Sequence, residues 1–118
     1  MSQPPRGRFP KASRLLRRAE FLAVKRQGRG FADGPLAASF RPAALAGARV
    51  GLTVSSQVGN AVQRNRIKRR LREAVRGELA SLPLVDLVVV ARASAAQASV
   101  EDFRRWLKRA VQRMGRPS

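Results

Sequence analysis

The sequence predicts an α/β sandwich: a small mixed sheet of about four strands packed with three helices, in the order αβββαβα. Three observations carry this reading. Val50, Leu52 and Val54 alternate with Gly51, Thr53 and Ser55, the period of a strand with one buried face. Leu87-Val88-Val89-Val90-Ala91 is an unbroken apolar run rich in β-branched residues, the pattern of a strand covered on both faces. Between these two, Ile67, Leu71, Ala74, Val75 and Leu79 follow the spacing i, i+4, i+7, i+8, i+12 of one helix face. A strand–helix–strand segment of this length permits a parallel strand pair. The chain has 118 residues and 44% apolar content, enough for a single core.

The elements follow in order. Residues 1–13 carry Pro4, Pro5, Gly7 and Pro10 among basic residues and read as a flexible arm; residues 14–118 form the one domain. Arg18 to Gln27 reads as a short helix with Phe21, Leu22 and Val24 as apolar contacts and Gly28 as its cap. Gly28 to Gly34 is a loop or short extended piece. Its glycines do not make a dinucleotide fingerprint, because Asp33 takes the place of the third glycine. Pro35 to Arg41 is a strand with Leu36, Ala38 and Phe40 on one face, and Pro42 to Gly47 is an alanine-rich connection. The strand Arg49 to Ser55 leads into a helix from about Asn60 to Leu79. Pro83 closes that region, and Asp86 to Arg92 is the last strand. Ser99 caps a final helix reaching Met114, with Glu101 and Asp102 in its first turn. Its inner stripe is Val100, Phe103, Leu107, Ala110, Val111 and Met114, with Trp106 at the edge as a core residue.

Charge indicates the class of partner. There are 25 Lys+Arg against 7 Asp+Glu, a formal charge of +18. A charge run on a helix is by default a solvated face. Here seven basic residues oppose the single acid Glu73 between Arg64 and Arg76. Like charges at i, i+4, such as Arg64–Lys68 and Lys68–Arg72, each cost a few tenths of a kcal/mol in an isolated helix. A ligand that supplies negative charge accounts for keeping them. Arg64, Lys68 and Arg72 stack on one line and Asn65 and Arg69 on the next, on a surface expected opposite the Ile67–Leu71–Val75 stripe. Asn65 adds a neutral donor and acceptor suited to a sugar hydroxyl or a hydrated metal. Nucleic acid offers the matching charge density. An anionic membrane surface fits less well, since no long stretch of the chain lacks charge; no run approaches the roughly 20 apolar residues of a spanning helix.

The inventory for covalent chemistry is thin. The chain has no Cys and no His, so thiolate and imidazole chemistry are excluded, along with disulfides. Glu73 and Glu78 lie beside arginines, and Glu101 and Asp102 complement a helix dipole; no carboxylate pair stands out for acid–base work. The polypeptide alone is expected to be chemically inert. The N-terminus lacks the apolar core of a secretory signal, and the cytoplasm is the default location.

These residues resemble the protein subunit of bacterial ribonuclease P. Arg64-Asn65-Arg66-Ile67-Lys68-Arg69-Arg70-Leu71-Arg72-Glu73 is similar to that family's Arg-Asn-Arg signature helix. Arg49 to Ser55 resembles the strand before it, Asp86 to Arg92 the strand after it, and Ala19-Glu20-Phe21 the acidic-Phe pair of the first helix. The resemblance covers about Arg14 to Met114. It implies a left-handed strand–helix–strand crossover, against the general rule. It also implies the partners: a large catalytic RNA, one protein per RNA, and precursor tRNA, whose 5′ leader is removed. The RNA and its Mg2+ ions would perform the hydrolysis, with no cofactor held by the protein. By this resemblance Arg64, Asn65, Arg66, Lys68, Arg69, Arg72 and Arg76 contact RNA, and Phe21, Arg18 and Lys25 line a leader cleft between the first helix and the sheet. This chain departs from the family pattern at Ser56-Gln57, where two lysines are common, and at Lys25, where a second aromatic is common. It has no Tyr, and the strand near the cleft offers Ala37 and Ser39, so leader contacts lean toward electrostatics. A general basic RNA-binding or ribosome-associated protein is the alternative. A DNA-reading helix is disfavoured, since no short-turn partner helix precedes the basic one.

Overall fold

The computed structural model describes residues 11–15 and 17–115. Helix α1 is Arg18–Gln27, β1 Arg29–Asp33, β2 Leu36–Pro42, β3 Arg49–Val54, α2 Ala61–Glu78, β4 Val85–Ala91 and α3 Val100–Gly115. The strands form one mixed sheet in the order β1-β2-β4-β3. β4 pairs parallel with β3 and antiparallel with β2, and β1 pairs antiparallel with β2. Of the arm expected over residues 1–13, all but Lys11–Ser13 lies outside the described residues; those three form a 3-10 turn.

The segment before Pro35, expected as a loop or short extended piece, is the edge strand β1 of a tight hairpin. Only Phe31 of its five residues is even partly buried, so no apolar alternation marks it. The two-residue turn depends on Gly34, whose φ of +59° is the positive value a II′ hairpin turn requires at its first position. Gly28 caps α1 as expected, its N–H donating to Val24 O at 2.8 Å, but in extended rather than left-handed conformation. What demands glycine there is space: a Cβ would run into the Phe40 carbonyl.

Both faces of the sheet are used. Leu36, Ala38, Val50, Leu87, Val89 and Ala91 face the larger core, filled by Ile67, Leu71, Ala74 and Val75 of α2 and Phe103, Trp106, Leu107 and Ala110 of α3. Each fully buried side chain of this size contributes about 1.5–3 kcal/mol. α2 starts with a reciprocal capping box: Gln63 N–H donates to Asn60 Oδ1, and Asn60 N–H to Gln63 Oε1, both at 2.9 Å. α3 starts the same way, Asp102 N–H donating to Ser99 Oγ at 3.0 Å and Ser99 N–H to Asp102 Oδ2 at 2.9 Å. The backbone hydrogen bond from Ser99 is the main cause that holds the Asp102 carboxyl below its ordinary value.

On the other face, α1 is docked by ions. Asp86 is fully buried and accepts from Arg49 Nε and Nη2 and from Arg41 Nε, each at 3.2 Å. Arg49 also pairs with Glu20 of α1, and Arg41 Nη1 donates to Gln27 Oε1 at 2.9 Å. The pKa of Arg49 is raised, chiefly by its hydrogen bond to Asp86. Removing one partner of a buried pair strands the other. Asp86→Ala is therefore expected to destabilise the domain by about 3–5 kcal/mol, measured by urea unfolding, because Arg41 loses its counter-charge and the buried Arg49 keeps only Glu20.

Candidate nucleic-acid interface

α2 carries the densest charge and its geometry sorts the cations. Its buried residues are Ile67, Leu71, Ala74, Val75 and Glu78. At 3.6 residues per turn, Arg64 and Lys68 fall immediately beside this stripe, not opposite it as charge segregation suggests. Both are half-buried accordingly, while Asn65, Arg66, Arg69, Arg72 and Arg76 are exposed. Arg64 is seven residues before Leu71 and Lys68 seven before Val75, so each lies about 20° around the helix from a buried position. Arg64, Asn65 and Lys68 meet around a recess of about 170 Å³ with Ala61 and the last residue of β3, Val54. Arg66 lies about 160° around the helix from Lys68, so one flat strand cannot touch both.

Neutralisation is unevenly distributed. Glu20, Asp33, Glu73, Glu78, Asp86 and Asp102 each pair with an arginine. Of the seven acids only Glu101 is outside an ion pair among the described residues. On α2 the pairing reaches Arg76, with Glu73, and Arg70 donates to Ala98 O at 3.3 Å. Arg64, Arg66, Lys68, Arg69 and Arg72 make no ion pair among the described residues. The Arg64 Nε is buried without a hydrogen-bond partner. A phosphate would supply what these groups lack.

The second candidate surface is the sheet face under α1. Val24 and Leu15 pack on Val88, with Phe21 and Val90 at the margin. Strand register puts Ala37, Ser39, Gly51 and Thr53 on that face beside Val88 and Val90. α1 covers the Val88 level; Ala37, Thr53 and Val90 stay half-open. Phe21 is half-buried, its ring lying on Gly51, where a Cβ would stand 2.5 Å from the ring carbon Cζ. The glycine inside an alternating strand was the available sign of this close approach. Arg18 and Lys25 are exposed one turn either side of Phe21. Phe31 and Phe40 lie on the opposite face, packed against the larger core, and do not join Phe21.

The two surfaces meet. Thr53 faces the open floor under α1 and its neighbour Val54 faces the recess of Arg64, Asn65 and Lys68. Both sit at the carboxyl ends of the parallel strands β3 and β4, where open α/β sheets commonly bind ligands. Glu20, Arg49 and Asp86, which hold α1 at its height over this floor, are structural contributors that sequence spacing did not expose.

The family model of ribonuclease P matches residues 9–115. The chain is 45% identical over 87 residues to the ribonuclease P protein component of Citrifermentans bemidjiense, covering 74% of this chain and 75% of that one. It is 44% identical over 107 residues to that of Gluconacetobacter diazotrophicus, covering 85% and 92%. The Staphylococcus aureus RNase P protein superposes with a TM-score of 0.77 at 27% identity, over 90% of this chain and 97% of that one. The Thermotoga maritima RNase P protein gives 0.75 at 27% identity, over 85% and 96%. The four-stranded sheet with three helices matches these structures.

If Lys68 and Arg72 bind phosphates, replacing both with alanine flattens the salt dependence of RNA binding. Each lost contact should lower the log–log slope by roughly 0.7. Titrations of affinity against salt, with folding checked by circular dichroism, test this; an unchanged slope removes these two residues from the interface.

Proposed function

The chain belongs to the ribonuclease P protein family, and on that premise we propose a division of labour within the holoenzyme. A ribonuclease P protein component implies an RNA partner, and tRNA processing is the family's task. α2 binds that catalytic RNA, one protein to each. The half-open floor under α1 receives the 5′ leader of precursor tRNA. The RNA performs the hydrolysis, and the protein improves substrate binding in the cytoplasm. Among the described residues no helix is long and apolar enough to cross a membrane.

The observation that carries this reading is the adjoining of the two surfaces at Thr53 and Val54. A protein that only coats RNA has no need of a half-open floor beside its most cationic recess. The leader's backbone would run past Arg18 and Lys25 while one base stacks on Phe21. With a single aromatic there and Ala37, Ser39 and Thr53 as floor, the grip is mostly electrostatic and tolerant of leader sequence.

Mg2+ is assigned to the RNA. The carboxylates of this chain do not fit a site of their own for it. Six of the seven are engaged by guanidinium groups, and no three acidic side chains cluster among the described residues. The cationic face of α2 would repel a bare divalent ion, so the protein acts instead by lowering the repulsion between two RNA strands that share it.

Two outcomes are expected. Purified free of nucleic acid, the protein alone leaves precursor tRNA intact, and adding the cognate catalytic RNA at low Mg2+ restores leader removal; substantial cleavage by protein alone overturns the division of labour. Phe21→Leu, which keeps apolar volume and loses the stacking face, weakens holoenzyme binding of leader-bearing tRNA by roughly 5- to 160-fold, the range of about 1–3 kcal/mol per stacked base. Mature tRNA without a leader is unaffected. Equal loss for both substrates shows that Phe21 only packs.

A further inference from the structure

α3 carries a second line of cations that the reading above leaves without a role. Arg105, Arg109 and Arg113 recur every fourth residue along one flank. Each step advances about 6 Å along the helix axis, the order of separation of successive phosphates in a nucleic-acid strand. This flank faces β1, at one end of the sheet; the Arg64–Lys68 flank of α2 faces β3, at the other.

The groove beside this line is built, not flat. Recesses of about 570 Å³ and 260 Å³ share Trp106 and Arg109, and a third of about 340 Å³ continues past Arg113 to Arg29. Its wall is an aromatic–guanidinium ladder. Phe31 stacks on Trp106 with centroids 5.5 Å apart and planes at 17°. The Arg113 guanidinium lies over the Phe31 ring, 4.5 Å from its centroid. Trp106 Nε1 donates to Asp33 O at 2.7 Å and locks the ladder to the hairpin.

The acids in the groove do not close it. Arg109 and Asp33 pair at 3.7 Å with side chains 63% and 58% exposed, and Arg105 pairs with Asp102 at 64% and 41%. Exposed pairs of this kind contribute little, so a phosphate oxygen can displace either carboxylate. Arg113 has no carboxylate partner among the described residues, and its guanidinium carbon already lies over a ring.

We propose that the groove between α3 and the β1–β2 hairpin is a second nucleic-acid path, which holds a single-stranded RNA segment. Arg105 and Arg109 take phosphates of that segment and Arg113 presents its guanidinium plane to a base. An acidic peptide would satisfy the charges but not the ladder; stacking on arginine planes is a mode of unpaired RNA bases. The proposal rests on RNA being the partner of this chain. The holoenzyme is then gripped from both ends of the sheet.

Two experiments test it in the reconstituted holoenzyme. The chain contains no cysteine, so Gln112→Cys and, separately, Asn65→Cys each give one attachment point for a photocrosslinker. Gln112 lines the groove and Asn65 the α2 recess. The expected result is RNA crosslinks from both, at nonoverlapping nucleotides. In salt titrations, Arg105→Ala/Arg109→Ala lowers the log–log slope by roughly 1.4 for two phosphates. Arg113→Lys keeps the slope and weakens affinity several-fold, because charge is retained and the plane is lost. Thermal melting of each variant separates misfolding from lost contact, and the Arg113→Lys variant leaves the Asp33 and Asp102 pairs intact. Absent RNA crosslinks at Gln112, or an unchanged slope in folded protein, overturns the second path. If the Lys68→Ala/Arg72→Ala slope falls while the α3 slope does not, the α2 reading stands and this one fails; if neither falls, both fail. Crosslinking from Gln112 to protein instead of RNA counts against the proposal.

Discussion

The buried carboxylate of Asp86 is the constraint on which the rest depends. Desolvating a lone carboxylate costs several kcal/mol, so the position is tenable only with cations in contact. Arg41 and Arg49 supply them from the two strands that flank β4. Arg49 then engages Glu20, and Arg41 engages Gln27, so both ends of α1 are tied to the same charge. The apolar part of this contact is small, three buried side chains and two at the margin. An apolar contact of that size would let the helix slide. Directional ion pairs fix its height, and with it the depth of the floor beside Phe21.

Periodicity made α2, α3, β3 and β4 legible, because each buries a stripe long enough to show its period. β1 was not legible. Its Arg29, Gly30, Ala32 and Asp33 are exposed, and its stability comes from pairing with β2, which leaves no local trace. The ion network was equally hidden. Glu20, Arg49 and Asp86 are far apart in sequence, and a charged residue at the start of a strand reads as a solvated end. Charge density marks the Arg-Asn-Arg helix but does not give its orientation. Arg64 and Lys68 sit beside the core and not across from it, since each is seven residues, close to two full turns, before a buried residue, Leu71 and Val75.

Arginine does two separate jobs in this chain. One set holds elements together through buried carboxylates: Arg41, Arg49 and Arg104. The other set, on α2, is left unneutralised on a helix that would be repelled by its own charge. Packing of the Ile67–Leu71–Val75 stripe stabilises that helix against the repulsion, and the reciprocal cap at Asn60 and Gln63 fixes where it begins. The cap engages the Gln63 amide, and the side chains beyond it offer forks that can adapt to irregular phosphate positions.

The composition leaves no side chain that ordinarily titrates near neutrality. It has no histidine, cysteine or tyrosine, and its other side chains ordinarily titrate below about 5 or above about 10. Arg49 is moved upward and Asp102 downward, both away from that window. The cationic field offered to RNA by the side chains is therefore constant across physiological pH. A pH dependence of the assembled enzyme in that range reports on nucleic acid, solvent, bound ions or the chain's amino terminus, and the protein's side chains serve as an invariant electrostatic background against which those protonations can be read.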